Sequence, residues 1–337
     1  MDAYQKVLYM ENQPVIEQAL RAALQVKTVE INWLAGDASD RTYYEVHTEK
    51  EHPFALMVLG EKDRILVQQG AYDWVSLQQF LLSHGLPVPT IQSIFPDLGL
   101  LLIEHLGAES LEKKIRAAKN SEEIAVLYRS IFPLVGKLLH APQHPAYTQR
   151  KFDQALLTRE LHFFRTHFLQ AIAQLMLSPA EEHQFEQEVQ IISAHIEAQS
   201  RFFVHRDFHS RNILFHQDGP YIIDFQDARL GSPVYDLISL LFDPYPPVSI
   251  PLRQQLFQEA LSHTSQLAPQ WQPVFLQRLL KILGSYGFLG HTKNASFLQY
   301  IPTTLSFLSA IPTYDPRWPF LSGELLHRMQ EAQRHTA

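Results

Sequence analysis

The 337-residue chain contains no cysteine, and it is poor in glycine, with 13 residues of that type. The absence of cysteine excludes disulfide scaffolds, thiolate zinc sites, iron–sulfur clusters and a cysteine nucleophile. Few glycines and no internal repeat argue against a long flexible linker and against a solenoid. Zinc held by histidine and carboxylate side chains stays open.

Long apolar runs and an excess of basic residues are also missing. The most apolar stretches, such as Leu237–Phe242, are far shorter than the roughly 20 residues that cross a bilayer. The N-terminal residues do not have the basic segment and apolar core of a signal peptide. Lys and Arg total 28 against 35 Asp and Glu, and the net charge of −7 disfavours nucleic acid as a partner. We expect a cytoplasmic protein that binds neither nucleic acid nor membrane.

Strand-like segments dominate the first hundred residues. These segments are short, rich in β-branched and aromatic residues, and separated by turn residues. They cover residues 29–34, 42–47, 54–59, 90–95 and 100–103. A helical pattern with one apolar face covers residues 72–82 and ends before Gly85. Together they predict a small β-rich unit with one internal helix.

Beyond residue 109 the apolar pattern becomes that of helices. Asn120 and Ser178 each stand three residues before a glutamate, which is a helix-start signal. The helices are interrupted by a strand at 202–204 and by a hairpin with arms at 213–215 and 221–223. The change of pattern predicts two domains, residues 1–104 and residues 105–337, the second of them mainly helical.

The densest group of polar residues is the segment Val204-His-Arg-Asp-Phe-His-Ser-Arg-Asn-Ile-Leu214, and we call residues 205–212 the polar loop. Asp207 and Asn212 lie five residues apart in it, and Asp224 follows Asn212 by twelve residues at the end of an apolar strand. Phosphoryl transfer needs one carboxylate to orient the attacking hydroxyl, and an amide and a second carboxylate to bind Mg²⁺ on the triphosphate. The residue types and their spacing fit that chemistry.

The motifs His205-x-Asp-x-x-x-x-Asn212 and Ile223-Asp-Phe225 resemble those of the kinase-like phosphotransferases, the superfamily of the aminoglycoside phosphotransferases and choline kinases. The resemblance implies an α+β, two-lobed protein-kinase-like fold. A small β-rich N-terminal lobe would cover the nucleotide, and a larger, mainly helical C-terminal lobe would bind the substrate. It also implies ATP and Mg²⁺ as cofactors.

The resemblance assigns roles by position in the motif. Asp207 would be the catalytic base, and His209 would lie close to the transferred phosphate. Asn212 and Asp224 would be the Mg²⁺ ligands. His205 would brace the polar loop.

A further part of the resemblance concerns the helix that begins near Tyr235. Its Asp236 would bond the backbone of the polar loop from a buried position. Arg211 would either bind a substrate carboxylate or form an ion pair with Asp227 or Glu104. Asp227 itself would either orient the substrate or cap the following turn.

A narrower resemblance is to the anomeric sugar kinases of peptidoglycan recycling, which phosphorylate N-acetylmuramate and N-acetylglucosamine at the C1 hydroxyl. The stretch Leu34-Ala-Gly-Asp-Ala-Ser-Asp-Arg-Thr-Tyr-Tyr44 is similar to their nucleotide-covering loop, which implies nucleotide contacts by Ser39, Asp40 and Arg41. The partners implied are ATP and a small sugar, and we expect a monomer.

Two features depart from the kinase pattern. The nucleotide-covering loop has one glycine, Gly36, where protein kinases have three. The third strand places Met57 or Val58 where a phosphate-binding lysine is expected, so that Lys62 or Arg64, just past the strand, would have to bind the phosphates instead.

The segment Glu104-His-Leu106 resembles the hinge of the family. In that hinge the main chain, and not the side chains, would offer hydrogen bonds to adenine. Glu104 and Leu106 are therefore included among the expected nucleotide-binding residues.

Other functions remain open on the sequence alone. His205, Asp207 and His209 alternate along the chain, as in a His/Asp metal-dependent hydrolase site. The missing strand lysine would also suit an inactive nucleotide-binding module, and another acceptor such as an aminoglycoside or choline would suit the same scaffold. In the kinase interpretation, we expect Asp207, Asp224 and Asp227 to converge, and Mg²⁺ rather than a protein cation to offset their charge.

Overall fold

The computed structural model describes residues 3–36, 41–50, 52–199, 201–217, 219–263 and 270–336. The chain forms two compact units. The first comprises Met1–Ala108 together with Leu214–Ile223, and the second comprises Glu109–Ile213 and Asp224–Ala337. Within the described ranges, no helix is both long enough and apolar enough to cross a membrane.

The first unit is built on a five-stranded antiparallel sheet with the strand order β1-β2-β3-β5-β4. All of the strands predicted for this region are confirmed. Their bounds are β1 (Val29–Gly36), β2 (Thr42–Thr48), β3 (Phe54–Val58), β4 (Ile91–Phe95) and β5 (Leu100–Glu104). Alternate side chains of β2 are buried, as expected for a strand with one face on the core.

The prediction of a single helix in the first unit is wrong. The structure has α1 (Ala3–Leu24) and α2 (Glu61–Gln68) in addition to the predicted helix, which is α3 (Asp73–Ser83). The helix α1 buries Ile16 and Leu20 in one core with sheet residues such as Val46. Its apolar face is sparse and it contains a proline, so packing on the sheet rather than local sequence stabilises it.

A hairpin from the second half of the sequence belongs to the first unit, which corrects the predicted assignment of all residues beyond 104 to one domain. It consists of β7 (Ile213–His216) and β8 (Gly219–Ile222), close to the predicted arms. The amide of Ile222 donates a 2.8 Å hydrogen bond to the carbonyl of Pro87. Contacts between distant parts of the chain determine which unit contains the hairpin, and a local sequence pattern does not predict such contacts.

The second unit is mainly helical. Its helices are α4 (Leu111–Ala117), α5 (Ser121–Leu139), α6 (Pro145–Thr148), α7 (Gln154–Phe164), α8 (Pro179–Glu197), α9 (Tyr235–Leu241), α10 (Ile250–His263), α11 (Trp271–Thr292), α12 (Ile301–Ala310) and α13 (Leu325–Thr336). The two predicted helix starts are confirmed. Asn120 caps α5, and Ser178 forms a reciprocal capping box with Glu181 at the start of α8.

Two helices of this unit, α7 and α11, pack at close range because α11 carries glycines at the contact. A β-carbon at Gly284 would lie 2.7 Å from the Cα of Phe164, and one at Gly287 would lie 2.0 Å from the carbonyl oxygen of His167, in the π-helical segment Arg165–Gln170 that follows α7 directly. Gln277 of α11 also donates a 2.8 Å hydrogen bond to Glu160 of α7. The two glycines, which have no side chain, allow the helices to come close, and the hydrogen bond of Gln277 helps to fix their spacing.

Candidate active site

The polar loop lies between two short strands, and a buried residue adjoins it at each end. It follows β6 (Phe202–Val204), which pairs with β9 (Arg229–Gly231), and it precedes β7. The strand β9 was not predicted from the sequence. Val204 is 1% exposed and Ile213 is 0% exposed, so both ends of the polar loop are anchored in apolar surroundings.

Asp236 of α9 binds the backbone at the start of the polar loop. Its two carboxylate oxygens accept hydrogen bonds from the amides of His205, at 2.7 Å, and Arg206, at 3.0 Å. Burial raises the pKa of Asp236 to about 7, although the two backbone bonds act in the opposite direction. Arg206 has a φ angle of 80°, which a non-glycine residue keeps only when surrounding contacts hold it. The carboxylate of Asp236 is one such contact.

A second buried carboxylate, Asp243, binds the middle of the polar loop. It accepts hydrogen bonds from both the amide, at 2.8 Å, and the hydroxyl of Ser210. Its other oxygen accepts a 2.8 Å bond from the amide of Tyr245. The backbone of the polar loop is therefore held by two buried carboxylates. Other side chains of the loop remain available to bind ligands or take part in a reaction.

The structure brings together the three residues that the motif identified. The side-chain amide of Asn212 donates to the carbonyl of Asp207 at 2.9 Å and to the carboxylate of Asp224 at 3.3 Å. Gln226 donates a 2.6 Å hydrogen bond to the other oxygen of Asp224. Asp224 has a φ angle of 64°, so its position, like that of Arg206, is a backbone conformation held by its surroundings.

Asn212 and Asp224 are chemically suited to bind Mg²⁺. Mg²⁺ prefers oxygen donors, and it uses one or two protein ligands together with phosphate oxygens rather than a cage made only of protein. The described residues contain no group of three or more histidine, aspartate or glutamate side chains placed to hold a metal ion. The same finding gives no support to a metal-dependent hydrolase built from His205, Asp207 and His209.

The charge around Asp207 differs from the prediction. We expected Mg²⁺ rather than protein cations to offset the carboxylates, but Asp207 lies among Lys281, Arg278 and Arg206. Lys281 Nζ lies 3.9 Å from Asp207 Oδ1. Burial alone would raise the pKa of Asp207, but these three cations hold it well below its ordinary value. Asp207 is therefore an ionised carboxylate, and 28% of its side chain remains exposed.

The cations in turn contact acidic groups on other elements. Arg206 donates a 3.0 Å hydrogen bond to Glu160, and its other terminal nitrogen lies 3.6 Å from Asp227. Arg278 donates to the hydroxyl of Ser239. Asp227 is half exposed, at 48%, and its two predicted roles are left undecided by these contacts.

Arg211 is engaged within the second unit, and its ion-pair partner is neither of the two carboxylates expected. Its guanidinium donates at 2.6 Å to Glu112 of α4 and at 2.8 Å to the hydroxyl of Tyr300. The same group stacks on Tyr245, with its central carbon 3.7 Å from the ring centre. A role in binding a substrate carboxylate stays a prediction, and 38% of the side chain is exposed.

His205 and His209 occupy different environments. His205 is completely buried, where its backbone amide binds Asp236. His209 packs edge-on against Tyr245, and its Nδ1 atom is buried without a hydrogen-bond partner among the described residues. Burial lowers the pKa of His209, although Asp243 and Asp207 act in the opposite direction. We therefore expect a neutral imidazole at pH 7, and its position relative to phosphate stays a prediction.

The expected nucleotide-binding residues fall in the first unit. Ser39 and Asp40 lie outside the described residues. Arg41 is 11% exposed and lies 3.4 Å from Asp63, whereas Lys62 is exposed in the first turn of α2. Their contacts with a nucleotide stay predictions.

The hinge residues also lie in the first unit, at the end of β5. The side chain of Glu104 accepts hydrogen bonds from the amide and hydroxyl of Thr90, and Leu106 is buried. In β3, Met57 and Val58 are both buried, so this strand carries an apolar pair where the phosphate-binding lysine was expected.

Sequence reasoning missed Arg278, Lys281 and Glu160, which α11 and α7 bring to the polar loop. A signal was present in the segment Val274-Phe-Leu-Gln-Arg-Leu-Leu-Lys-Ile-Leu283, where two cations interrupt an otherwise apolar helix. Charged residues are seldom buried without a partner, so such an interruption indicates a buried carboxylate opposite.

Comparison with known proteins identifies the family. Residues 30–272 match the family described as "Phosphotransferase enzyme family". The chain belongs to this phosphotransferase family. Two curated relatives are N-acetylmuramate/N-acetylglucosamine kinases, from Pseudomonas putida and Pseudomonas aeruginosa. The first is 24% identical over 89% of this chain and 88% of its own length, and the second is 26% identical over 90% and 89%.

Solved structures of other phosphotransferases share the fold. Aminoglycoside phosphotransferase APH(2'')-Ib in its ADP-bound form has a TM-score of 0.60 at 14% identity, over 96% of this chain and 99% of its own. Choline kinase LicA from Streptococcus pneumoniae has a TM-score of 0.58 at 15% identity, over 89% and 100%. The predicted α+β protein-kinase-like fold is thereby confirmed.

Proposed function

We propose that this phosphotransferase is an ATP-dependent amino-sugar kinase that phosphorylates the C1 hydroxyl of N-acetylmuramate or N-acetylglucosamine. The observation that carries the proposal is the similarity to two N-acetylmuramate/N-acetylglucosamine kinases, which match the chain over most of its length. The arrangement of Asp207, Asn212 and Asp224 supports it, because these groups meet the needs of phosphoryl transfer. The enzyme would act as a monomer in the cytoplasm, in the recycling of peptidoglycan sugars.

In the proposed reaction, Asp207 accepts a hydrogen bond from the C1 hydroxyl and orients it for in-line attack on the γ-phosphate. The hydroxyl oxygen forms a bond to phosphorus as the bond to the β-phosphate oxygen breaks, and the hydroxyl proton passes to Asp207. The products are an α-sugar-1-phosphate and ADP. Mg²⁺, held by Asn212 and Asp224, would neutralise charge on the triphosphate.

The low pKa of Asp207 makes this carboxylate a weak base. A weak base is sufficient for the proposed acceptor, the C1 hydroxyl of a sugar. In a loose transition state the hydroxyl proton leaves late, so orientation contributes more than base strength. A C1 hydroxyl is also more acidic than an ordinary alcohol, because the ring oxygen withdraws electrons from the same carbon. The carboxylate can therefore stay ionised among its cations and still serve the reaction.

The charges beside Asp207 favour a neutral or anionic acceptor. Lys281, Arg278 and Arg206 surround the carboxylate that must contact the attacking hydroxyl. An aminoglycoside or choline would bring further positive charge to this place, at a cost in Coulomb energy. N-acetylglucosamine is neutral and N-acetylmuramate carries one negative charge, so the three cations do not repel either sugar.

A panel of acceptors tests the proposal. We expect Mg·ATP to raise the melting temperature, and N-acetylmuramate or N-acetylglucosamine, but not kanamycin or choline, to stimulate ADP release. Phosphorus NMR should then detect a sugar-1-phosphate. ADP release with kanamycin or choline alone would contradict the proposed acceptor, and no nucleotide-induced shift would favour an inactive module.

The Asp224→Asn substitution tests the assigned Mg²⁺ ligand. Loss of one carboxylate charge should raise the Mg²⁺ concentration for half-maximal activity by about 10- to 100-fold, since even outer partners of metal ligands have effects of that size. Titration of activity with Mg²⁺ at fixed ATP measures this. Asp227→Asn, three residues away and paired with Arg206, is the control and should leave the Mg²⁺ dependence unchanged. Equal Mg²⁺ curves for wild type and Asp224→Asn would contradict the assignment.

A further inference from the structure

Lys281 is a partly buried cation that lies near the proposed catalytic carboxylate although its helix is distant in sequence. It lies in the middle of α11, with 16% of its side chain exposed, and its Nζ atom is 3.9 Å from Asp207 Oδ1. That distance exceeds the length of a normal hydrogen bond, so the ammonium group is near Asp207 without being directly bonded to that oxygen. It can therefore donate to another group.

Lys281 lies in a cluster that contains charges of both signs. Arg278 and Arg206 lie near it, while Asp207 and Glu160 supply the opposing charges. Glu160 is engaged in hydrogen bonds with Arg206 and Gln277. An ammonium group beside two guanidinium groups is stabilised further when an additional negative charge enters during the reaction.

The transferring phosphoryl group is such a charge. In phosphoryl transfer, negative charge spreads over the equatorial oxygens of the γ-phosphoryl group, and enzymes stabilise it with a lysine, an arginine or a metal ion. In β3 of the first unit, the position expected to carry a phosphate-binding lysine is occupied by the buried apolar residues Met57 and Val58. Lys281 is a cation that another element, α11, places beside Asp207.

The geometry points to Lys281 as a catalytic residue that donates to the transferring γ-phosphoryl group. This inference rests on the proposed function. The attacking hydroxyl must lie within hydrogen-bond reach of Asp207, and phosphorus is the atom that this hydroxyl attacks. An ammonium group 3.9 Å from the same carboxylate is therefore adjacent to the reacting centre. Lys281 keeps its protons throughout, and the hydroxyl proton goes to Asp207 while ADP leaves with the electron pair of the broken bond.

The charge state of Lys281 gives the inference a pH signature. Burial lowers the pKa of Lys281 to about 8, with Arg278 and Arg206 acting in the same direction and Asp207 and Glu160 against it. The ammonium is present below that pH and is lost above it. We expect kcat/KM for ATP, which reports the free enzyme, to fall as the pH rises through about 8. In Lys281→Arg, whose guanidinium stays charged, this fall should move to higher pH.

The test compares Lys281→Met, Lys281→Arg and a control, Lys119→Met, which removes an exposed lysine of the second unit. Lys281→Met should lower kcat about 100-fold, the effect typical of removing one donor to a transition-state charge, and leave both KM values within about threefold. Lys281→Arg should recover at least a tenth of the wild-type kcat, and Lys119→Met should match wild type. Melting temperatures establish that each variant is folded.

A binding measurement gives a second readout that does not depend on turnover. ADP with Mg²⁺ and aluminium fluoride mimics the transferring phosphoryl group, whereas ADP with Mg²⁺ alone does not. Calorimetry should show that Lys281→Met loses affinity for the first combination and keeps its affinity for the second. Equal losses for both would overturn the inference, because the lysine would then act on the fold or on ADP.

Other outcomes also decide the matter. Unchanged kcat in folded Lys281→Met would overturn the inference. So would a rise in KM confined to N-acetylmuramate, since Lys281 would then bind the acceptor carboxylate that N-acetylglucosamine lacks. The variants are measured with whichever acceptor wild type uses, or by slow ATP hydrolysis if it uses none. A wrong acceptor therefore contradicts the proposed function and leaves the test of Lys281 intact.

Discussion

Replacing Asp207 with asparagine is expected to lower kcat by about 1,000-fold or more, within the range seen for loss of a positioned catalytic base. The amide has nearly the same shape, so it keeps the packing but cannot accept the hydroxyl proton. The rate of ADP formation at saturating ATP and sugar measures the loss. Binding of Mg·ATP, followed by calorimetry, should be nearly unchanged, because Asp207 is not among the residues assigned to the metal.

The same substitution should also lower the free energy of unfolding, because Asp207 offsets Lys281, Arg278 and Arg206. We expect a loss of about 1–3 kcal/mol at pH 7. The folded-state pKa of Asp207 lies below the ordinary value of 3.8, so its contribution is present above that pH and is lost as the pH falls further. The difference between wild type and variant should therefore shrink in acid.

Asp97→Asn, which alters an exposed aspartate, is the control for these two measurements. It should change neither kcat nor the unfolding free energy appreciably. A folded Asp207→Asn protein that keeps full sugar phosphorylation would contradict the catalytic assignment and, with it, the proposed mechanism.

Arg253→Met is expected to be the most damaging substitution for stability. Arg253 is completely buried and donates to the backbone carbonyls of Leu241, Pro246 and Val248. Methionine fills a similar length but donates nothing, so three carbonyl groups lose their partner. We expect the free energy of unfolding to fall by about 2–4 kcal/mol, and chemical denaturation of both proteins measures it.

This loss should extend to activity, because the segment that Arg253 holds includes Asp243. That carboxylate binds Ser210 in the polar loop. Arg129→Met is the control, since it also replaces an arginine with bonded partners, but one that is partly exposed on α5 and pairs with Glu259. Exposed pairs contribute at most about 1 kcal/mol, so this variant should remain close to wild type. Similar destabilisation by the two substitutions would contradict the importance assigned to the buried arginine.

The sequence predicted the parts of the site that are close together along the chain. Asp207 and Asn212 share one loop, and Asp224 follows it after a single hairpin, so their spacing alone indicated that they could meet. The capped starts of α5 and α8 were predictable for the same reason, since a cap involves residues only three positions apart.

What the sequence could not predict depends on contacts between distant segments. Lys281 reaches Asp207 from α11, and the partner of Arg211 is Glu112, 99 residues earlier in the chain. The helix α1 was missed because its few apolar residues become significant only when they pack on the sheet. In each case the outcome depends on tertiary contacts, which cannot be predicted from local propensity.

In the proposed mechanism, the close packing of α7 and α11 would make the reaction rate sensitive to residues that touch no substrate. Gly284 lies one helical turn after Lys281 on the same helix, and Gly287 lies a further turn away. Any side chain added at these glycines would have to push α11 away from α7 and would carry Lys281 with it. Since catalysis depends on positions to a fraction of an ångström, the two glycines would act in the proposed mechanism as a spacer on which the turnover rate depends.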